Sequence, residues 1–179
     1  MHAARFVMLW IGLLALAACS SSSDSVGKFR TYHGPPVTEV RVYKAERLME
    51  LWHNDQLLRT FTVELGGEPY GHKTTRGDRR TPEGLYYIDR RNPESRFHLS
   101  LGISYPNAAD IAQATRRGVS PGGDIFIHGR GPWFQFAQGD WTEGCIAVSD
   151  YEIEEIYAMV RDRTPIVILP SRNHRLVRL

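Results

Sequence analysis

The chain is 179 residues long, 42% hydrophobic and 23% charged, with 22 basic side chains, 20 acidic ones and two cysteines. Its apolar and aromatic content excludes intrinsic disorder, and the composition is neither collagen-like nor that of a coiled coil. The near balance of charge leaves no electrostatic footprint for nucleic acid, two cysteines permit at most one disulfide and no thiolate zinc site of the usual kind, and the length is that of one globular domain.

Residues 1–18 read as a secretion signal. Arg5 supplies a positive charge ahead of the unbroken apolar run Phe6 to Ala18. That run is too short to span a bilayer but has the length of a signal-peptide core. It ends in Leu16-Ala17-Ala18-Cys19 and is followed by four serines. This resembles the bacterial lipobox, which implies lipidation of Cys19; an ordinary signal peptide with small residues at its cleavage site is the alternative. With Cys19 acylated it is an anchor rather than a thiol, and Cys145 is the single thiol of the mature chain. Ser20 after the cysteine, by resemblance to sorting in Gram-negative bacteria, favours the periplasmic face of the outer membrane.

Residues 19–36 read as a Ser/Pro-rich tether closed by Pro35-Pro36. From Val37 the pattern turns to strands. Val40 and Val42 alternate with Glu39, Arg41 and Tyr43; Leu48, Leu51 and Trp52 lead to a turn at His53-Asn54-Asp55; and Leu57 to Leu65 places Phe61, Val63 and Leu65 on one face. The polar stretch Gly71 to Gly84 reads as a surface loop before a short strand, Leu85 to Ile88. Phe97, Leu99, Leu101 and Ile103 alternate as a further strand, Asp110 to Arg117 forms a short helix, and Ile125 to Ile127 lie in a buried strand ending at His128. Ser149 to Glu152 is a capping-box pattern, followed by Ile153, Ile156, Tyr157 and Val160 at helical spacing. Pro165 to Leu169 is a last apolar strand, and 171–179 a short basic tail with a solvated end. The fold expected is mainly β with one or two helices, in a single domain over 37–170.

The chemistry concentrates on Cys145 and His128. Cys145 sits in Thr142-Glu143-Gly144-Cys145-Ile146 just before the capped helix, and His128-Gly129 ends the buried strand. A cysteine attacks a carbonyl as its thiolate, and a nearby imidazole can take the proton and hold it as an ion pair. Gly144 permits close backbone approach, and amides around Cys145 can bind an oxyanion. A lone Cys is more often a small buried hydrophobe, and a lone His more often structural. It is the pair, each beside a glycine and at the end of an element, that raises catalysis to a serious reading.

These residues resemble the signature of the L,D-transpeptidase (YkuD-type) catalytic domain: His-Gly, a variable stretch, then Ser/Thr-His-Gly-Cys. Gly77 to Gly84, with Thr81-Pro82-Glu83-Gly84, resembles the family's Thr-Pro-x-Gly segment. The Tyr105-Pro106-Asn107 and Pro121-Gly122-Gly123 turns also match, so the resemblance covers about residues 38–170. Asp140-Trp141-Thr142 with Gly144-Cys145-Ile146-Ala147-Val148 is most similar to the branch that includes the murein-lipoprotein-detaching enzyme. The resemblance implies a β-sandwich-like mixed sheet with a packed helix, Cys145 as nucleophile and His128 as general base. It further implies a backbone carbonyl, that of Gly129, orienting the imidazole, an acyl-enzyme formed on peptidoglycan tetrapeptide stems, and no cofactor or metal. It leaves open hydrolysis by the same pair, as an L,D-carboxypeptidase or an amidase detaching a wall-linked lipoprotein, and a non-catalytic peptidoglycan-binding lipoprotein.

This sequence departs from the family at Glu143, where His usually precedes Gly-Cys. A carboxylate pointing inward would raise the Cys145 pKa, so Glu143 is expected to point away. Gly129, Gly144, Thr142, Trp141 and Arg130 are the expected substrate or oxyanion residues. Trp133 and Phe134 are further candidates to line a groove for a sugar-peptide polymer, with core packing the commoner role for Phe134. Arg76, Arg79 and Arg80 are candidates to meet stem carboxylates, although a polar loop needs no such explanation. His72 and His98 carry no spacing that supports a role.

Overall fold

The computed structural model describes residues 27–174. The expected signal 1–18, the lipidation candidate Cys19 and the end of the basic tail lie outside them. The described residues form eight strands and two helices: β1 Glu39–Tyr43, β2 Leu48–His53, β3 Gln56–Thr62, β4 Gly84–Asn92, β5 Ser100–Ile103, α1 Ala108–Arg116, β6 Phe126–His128, β7 Ile146–Ala147, α2 Asp150–Met159 and β8 Pro165–Leu169. The fold is therefore mainly β, as read from the sequence, with two helices where one or two were expected.

The strands follow the order β3-β2-β1-β8-β4-β5-β6-β7 in one mixed sheet. β1, β2 and β3 form a meander, with Asn54 in the left-handed conformation (φ 51°) at the tight β2–β3 turn, where asparagine is tolerated. β8 returns to the middle, parallel to β1 and antiparallel to β4. The long β4 pairs with β8 through Gly84 to Tyr87 and with β5 from Ile88 onward, with a register shift after Ile88. A strand shared in this way, with a local irregularity, lets the sheet bend.

The sheet curls until its ends meet. Past β3, Glu64 bridges Ala147 of β7 and Gly66 bridges Thr142, with Glu64 N–H donating to Ala147 O (2.9 Å) and Ala147 N–H returning to Glu64 O (2.8 Å). Inside lie Val40, Val42, Met49, Leu51, Phe61, Val63 and Leu65 from one end. Ile88, Leu101, Ile103, Ile127, Ile146, Ile166 and Ile168 complete the interior. Burial on this scale drives folding, at roughly 1.5–3 kcal/mol per large aliphatic side chain. The α2 helix seals the interior with Ile153, Ile156 and Val160. Its predicted box forms: Ser149 Oγ accepts from Glu152 N–H and the Glu152 carboxylate accepts from Ser149 N–H. In α1, Asn107 and Asp110 make the same reciprocal cap.

Four expectations need correction. The strand expected from Phe97 begins only at Ser100, because His98 takes φ 76° and breaks the alternation. The stretch Leu57 to Leu65 leaves β3 at Thr62, although Val63 and Leu65 stay buried. The segment Gly71 to Gly84 is not simply a surface loop. Lys73 and Thr81 within it are buried, Lys73 Nζ is paired with Asp78 (2.8 Å), and His72 joins Asp110 (3.1 Å). Nor is the tail solvated from its start, since Arg172 pairs with the buried Glu50 and lies over Tyr43. The described part of the tether also lies on the domain. Arg30 donates to Glu154 (2.8 Å) and stacks on Tyr151 (3.6 Å) of α2.

Candidate active site

β6 ends at His128 and β7 begins at Ile146, and the two strands run parallel with Ile127 opposite Ile146. The register places Cys145 alongside Phe126. Side chains alternate along a strand, so Phe126, His128 and Cys145 face one way. They open on a cavity of about 560 Å3 whose lining also includes Arg96, Phe97, Phe134 and Trp141.

The local backbone explains the glycines. A side chain at 129 would bring its Cβ within 2.5 Å of Asp150 Oδ1 and 2.8 Å of the Phe97 carbonyl. That space is used by Asp150, at the start of α2, to accept from the amides of Arg130 (2.7 Å) and Gly131 (2.9 Å). Gly144 has φ 125°, a region that favours glycine, and a Cβ there would meet the Arg80 carbonyl oxygen at 2.6 Å. Thr142 braces the turn around Cys145: its hydroxyl donates to Cys145 O (2.7 Å) and accepts from Gly144 N–H (3.1 Å).

His128 is almost fully buried, at 2% exposure. Its Nδ1 lies 2.6 Å from Gly129 O. A carbonyl only accepts, so Nδ1 carries the proton and Nε2 carries the lone pair. Phe97 stacks on the imidazole at 4.3 Å and Trp141 meets it edge-on at 5.7 Å. Burial in these aromatics, helped by the nearby Arg96 charge, pushes the imidazole down to about 4 against the opposing pull of the Gly129 carbonyl. Burial likewise pushes the Cys145 thiol up to about 11, and the thiol points at Asp124 O, 3.6 Å away. Both shifts favour the uncharged forms, thiol and imidazole, over the ion pair the sequence reading allowed. A neutral pair still works as nucleophile and general base, with the proton moving as the sulfur attacks.

The remaining candidates divide. Trp141, Thr142 and Phe134 line the cavity, with Phe134 stacked on Trp141 at 4.7 Å. Gly129 is not free for substrate, because its carbonyl holds His128 and its N–H donates to Leu99 O. The Gly144 N–H is taken by Thr142, so it is not an open oxyanion donor. Arg130 stands behind the wall rather than in it: its guanidinium pairs with Glu64 and donates to the carbonyls of Phe134 (3.2 Å) and Ala137 (2.6 Å). Trp133 is 80% exposed and outside the cavity.

Glu143 stands at the rim, 77% exposed and 3.5 Å from Arg79, and lines the cavity beside Cys145 rather than pointing away from it. Arg76 lines a smaller polar pocket with Lys73, Asp124 and Glu143. His98 pairs with Glu154 (2.8 Å) on α2. Sequence reasoning missed Phe97, Arg96 and Glu64. Phe97 read as a strand residue, and Glu64, between buried Val63 and Leu65, read as the outward position of an alternating strand. Nothing local marks their partners.

Residues 38–168 match the YkuD family, the L,D-transpeptidase catalytic domain. "Putative L,D-transpeptidase YafK" of Escherichia coli K12 is 28% identical over 159 residues, covering 84% of this chain and 58% of its own length. The chain thus spans just over half of that relative. Among solved structures, the helical cell shape determining protein Pgp2 from Campylobacter jejuni superposes with a TM-score of 0.63 at 22% identity, over 81% of this chain and 51% of Pgp2. Bd1075 from Bdellovibrio bacteriovorus superposes with a TM-score of 0.56 at 22% identity, over 76% of this chain and 49% of its own. At those identities the likeness is one of fold.

Proposed function

The chain belongs to the YkuD L,D-transpeptidase family, and from that premise we propose that it is a peptidoglycan-modifying L,D-transpeptidase with Cys145 as nucleophile and His128 as general base. The observation that carries this reading is the shared cavity. Cys145 and His128 face it from two parallel strand ends, and the Gly129 carbonyl leaves Nε2 as the free base. In the proposed reaction the thiol proton passes to His128 Nε2 as the sulfur bonds to the carbonyl carbon on the L-centre of diaminopimelate in a tetrapeptide stem. The oxyanion collapses, the C–N bond to the terminal D-Ala breaks, and His128 returns the proton to the departing amine. An acceptor amine then attacks the thioester as His128 takes its proton, the C–S bond breaks, and His128 passes the proton to the departing sulfur, restoring the thiol.

Hydrolysis is the second reading. Asp140-Trp141-Thr142 with Gly144 to Val148 resembles the branch that includes the murein-lipoprotein-detaching enzyme, Glu143 departs from the family's usual His, and water in the acceptor's place would make the same pair a hydrolase. Lipid anchoring through Cys19 at the periplasmic face of the outer membrane belongs to the same proposal. It is supported by the Leu16-Ala17-Ala18-Cys19 motif and the serines after it.

Mass spectrometry of muropeptides incubated with the wild-type protein and Cys145→Ala tests the chemistry. Direct diaminopimelate cross-links made only by wild type support transfer. Loss of D-Ala, or release of a wall-linked lipoprotein, without cross-links moves the assignment to hydrolysis. If both proteins leave every muropeptide unchanged, the enzymatic proposal fails. Anchoring is checked by cell fractionation: Cys19→Ala is expected to leave the membrane fraction, and unchanged membrane association refutes the anchor.

A further inference from the structure

We infer that Glu64 is a positioning residue for the substrate cavity, its carboxylate setting the orientation of the aromatic wall opposite Cys145. The inference rests on the peptide-transferring role proposed above and assigns to that site a residue outside the Cys-His pair.

Glu64 lies where the two ends of the curled sheet meet, its backbone paired in both directions with Ala147, two residues from Cys145. Its carboxylate divides between two partners. One oxygen accepts from Trp141 Nε1–H (2.6 Å), and the other pairs with the Arg130 guanidinium. Through Trp141 it fixes an indole that stacks on Phe134 and meets His128 edge-on. Through Arg130 it fixes the guanidinium that gathers the carbonyls of Phe134 and Ala137, and so holds the segment carrying Phe134. Both routes end on the same stacked pair, Trp141 and Phe134, in the cavity lining. Both groups of the Glu64–Arg130 pair are about four-fifths buried, so the contact is poorly screened by water.

The backbone around Trp141 is held without Glu64. Asp140 pairs with Arg47 (2.6 Å) and accepts from Leu65 N–H (2.8 Å), while Thr142 N–H donates to Leu65 O (3.1 Å) and Thr142 O accepts from Gly67 N–H (3.0 Å). The Glu64 carboxylate therefore adds side-chain orientation to a segment whose path is already set. Cys145 and His128 are likewise held by β6, β7, Thr142 and the Gly129 carbonyl. Loss of the carboxylate should loosen the wall a stem peptide packs against while leaving the reacting pair in place.

The test uses the full chain and a free stem tetrapeptide. Glu64→Ala and Arg130→Ala are each expected to raise KM about tenfold with kcat within about twofold, and the double variant to be no worse than the poorer single, because contacts in one network do not add independently. The indole N–H resonance of Trp141 in 15N-labelled protein, assigned by its loss in Trp141→Phe, should shift in Glu64→Ala. In Glu64→Gln, whose amide oxygen still accepts from the indole but whose NH2 cannot pair with the Arg130 guanidinium, the resonance should be largely restored while KM stays raised as in Arg130→Ala. The inference is overturned by a fall in kcat at unchanged KM, by KM effects that multiply in the double variant, or by an indole resonance that does not move. If wild type turns over no substrate, the proposed function fails separately. Tetrapeptide Kd in the Cys145→Ala background then decides the inference: binding about tenfold weaker on adding Glu64→Ala supports it, and equal binding overturns it. Should Glu64→Ala not fold, Glu64→Leu, which fills the same space without an acceptor, and Arg130→Gln carry the KM readout.

Discussion

Burying His128 as a neutral imidazole has a thermodynamic consequence that can be measured without any substrate. The side chain titrates near 4 in the fold against 6.5 when free. A histidine with a depressed folded-state pKa contributes stability that is fully present above 6.5. That stability is lost as pH falls toward 4, because below 6.5 the unfolded chain binds a proton that the folded chain refuses. A shift of this size corresponds to about 3 kcal/mol, at about 1.4 kcal/mol per pH unit, with roughly two-thirds of it gone by pH 5. Urea unfolding of wild type and His128→Asn at pH 7, 5 and 4 isolates the effect. Asn keeps an N–H that can reach the Gly129 carbonyl but does not titrate, and the carboxylates common to both proteins cancel in the difference. Wild type should lose about 3 kcal/mol more than the variant between pH 7 and pH 4. Equal losses would show that the imidazole is not held neutral by burial. A smaller loss in wild type would show that it is already charged in the fold, as an ion pair with a Cys145 thiolate requires.

Other perturbations read neighbouring features. Because burial pushes the Cys145 thiol up to about 11, iodoacetamide should label the protein slowly at pH 7 and faster as pH rises from 9 to 11, with mass spectrometry as the readout. Rapid, pH-independent labelling would mean a resting thiolate. Gly144→Ala forces a Cβ toward the Arg80 carbonyl at a positive φ. It should cost on the order of 2 kcal/mol in urea unfolding and displace the turn carrying Cys145, so that activity on muropeptides falls as well. Ser149→Ala removes the α2 cap. It should cost about 1 kcal/mol, seen as a lower urea midpoint at unchanged slope.

Much of the architecture is written in local pattern. Val40 and Val42 alternating with polar neighbours mark β1, because a strand with one buried face repeats every two residues. Ser149 and Glu152 mark the start of α2, because capping needs those groups three positions apart. The order of the strands is not written there. β8 comes last in the chain yet lies between β1 and β4, a placement set by how the whole apolar surface is covered rather than by the residues of β8. The failure of alternation at His98 follows from a left-handed backbone that no polar-apolar pattern encodes.

The candidate site divides along the same line. Sequence alone determined a cysteine at 145 just before a capped helix, a histidine at the end of a buried strand, glycines beside both, and the family they resemble, since these are properties of residue type and spacing. Only the tertiary structure decided that both side chains face one cavity, that burial favours the neutral form of each, and that Gly129 and Gly144 spend their polar groups on the scaffold. It alone decided that Arg130 is a clamp on Glu64 rather than a contact for substrate. Those outcomes depend on burial and on partners up to 66 residues apart in the chain. The charge a group carries, and the atoms it has left to offer, are set by what folding packs around it.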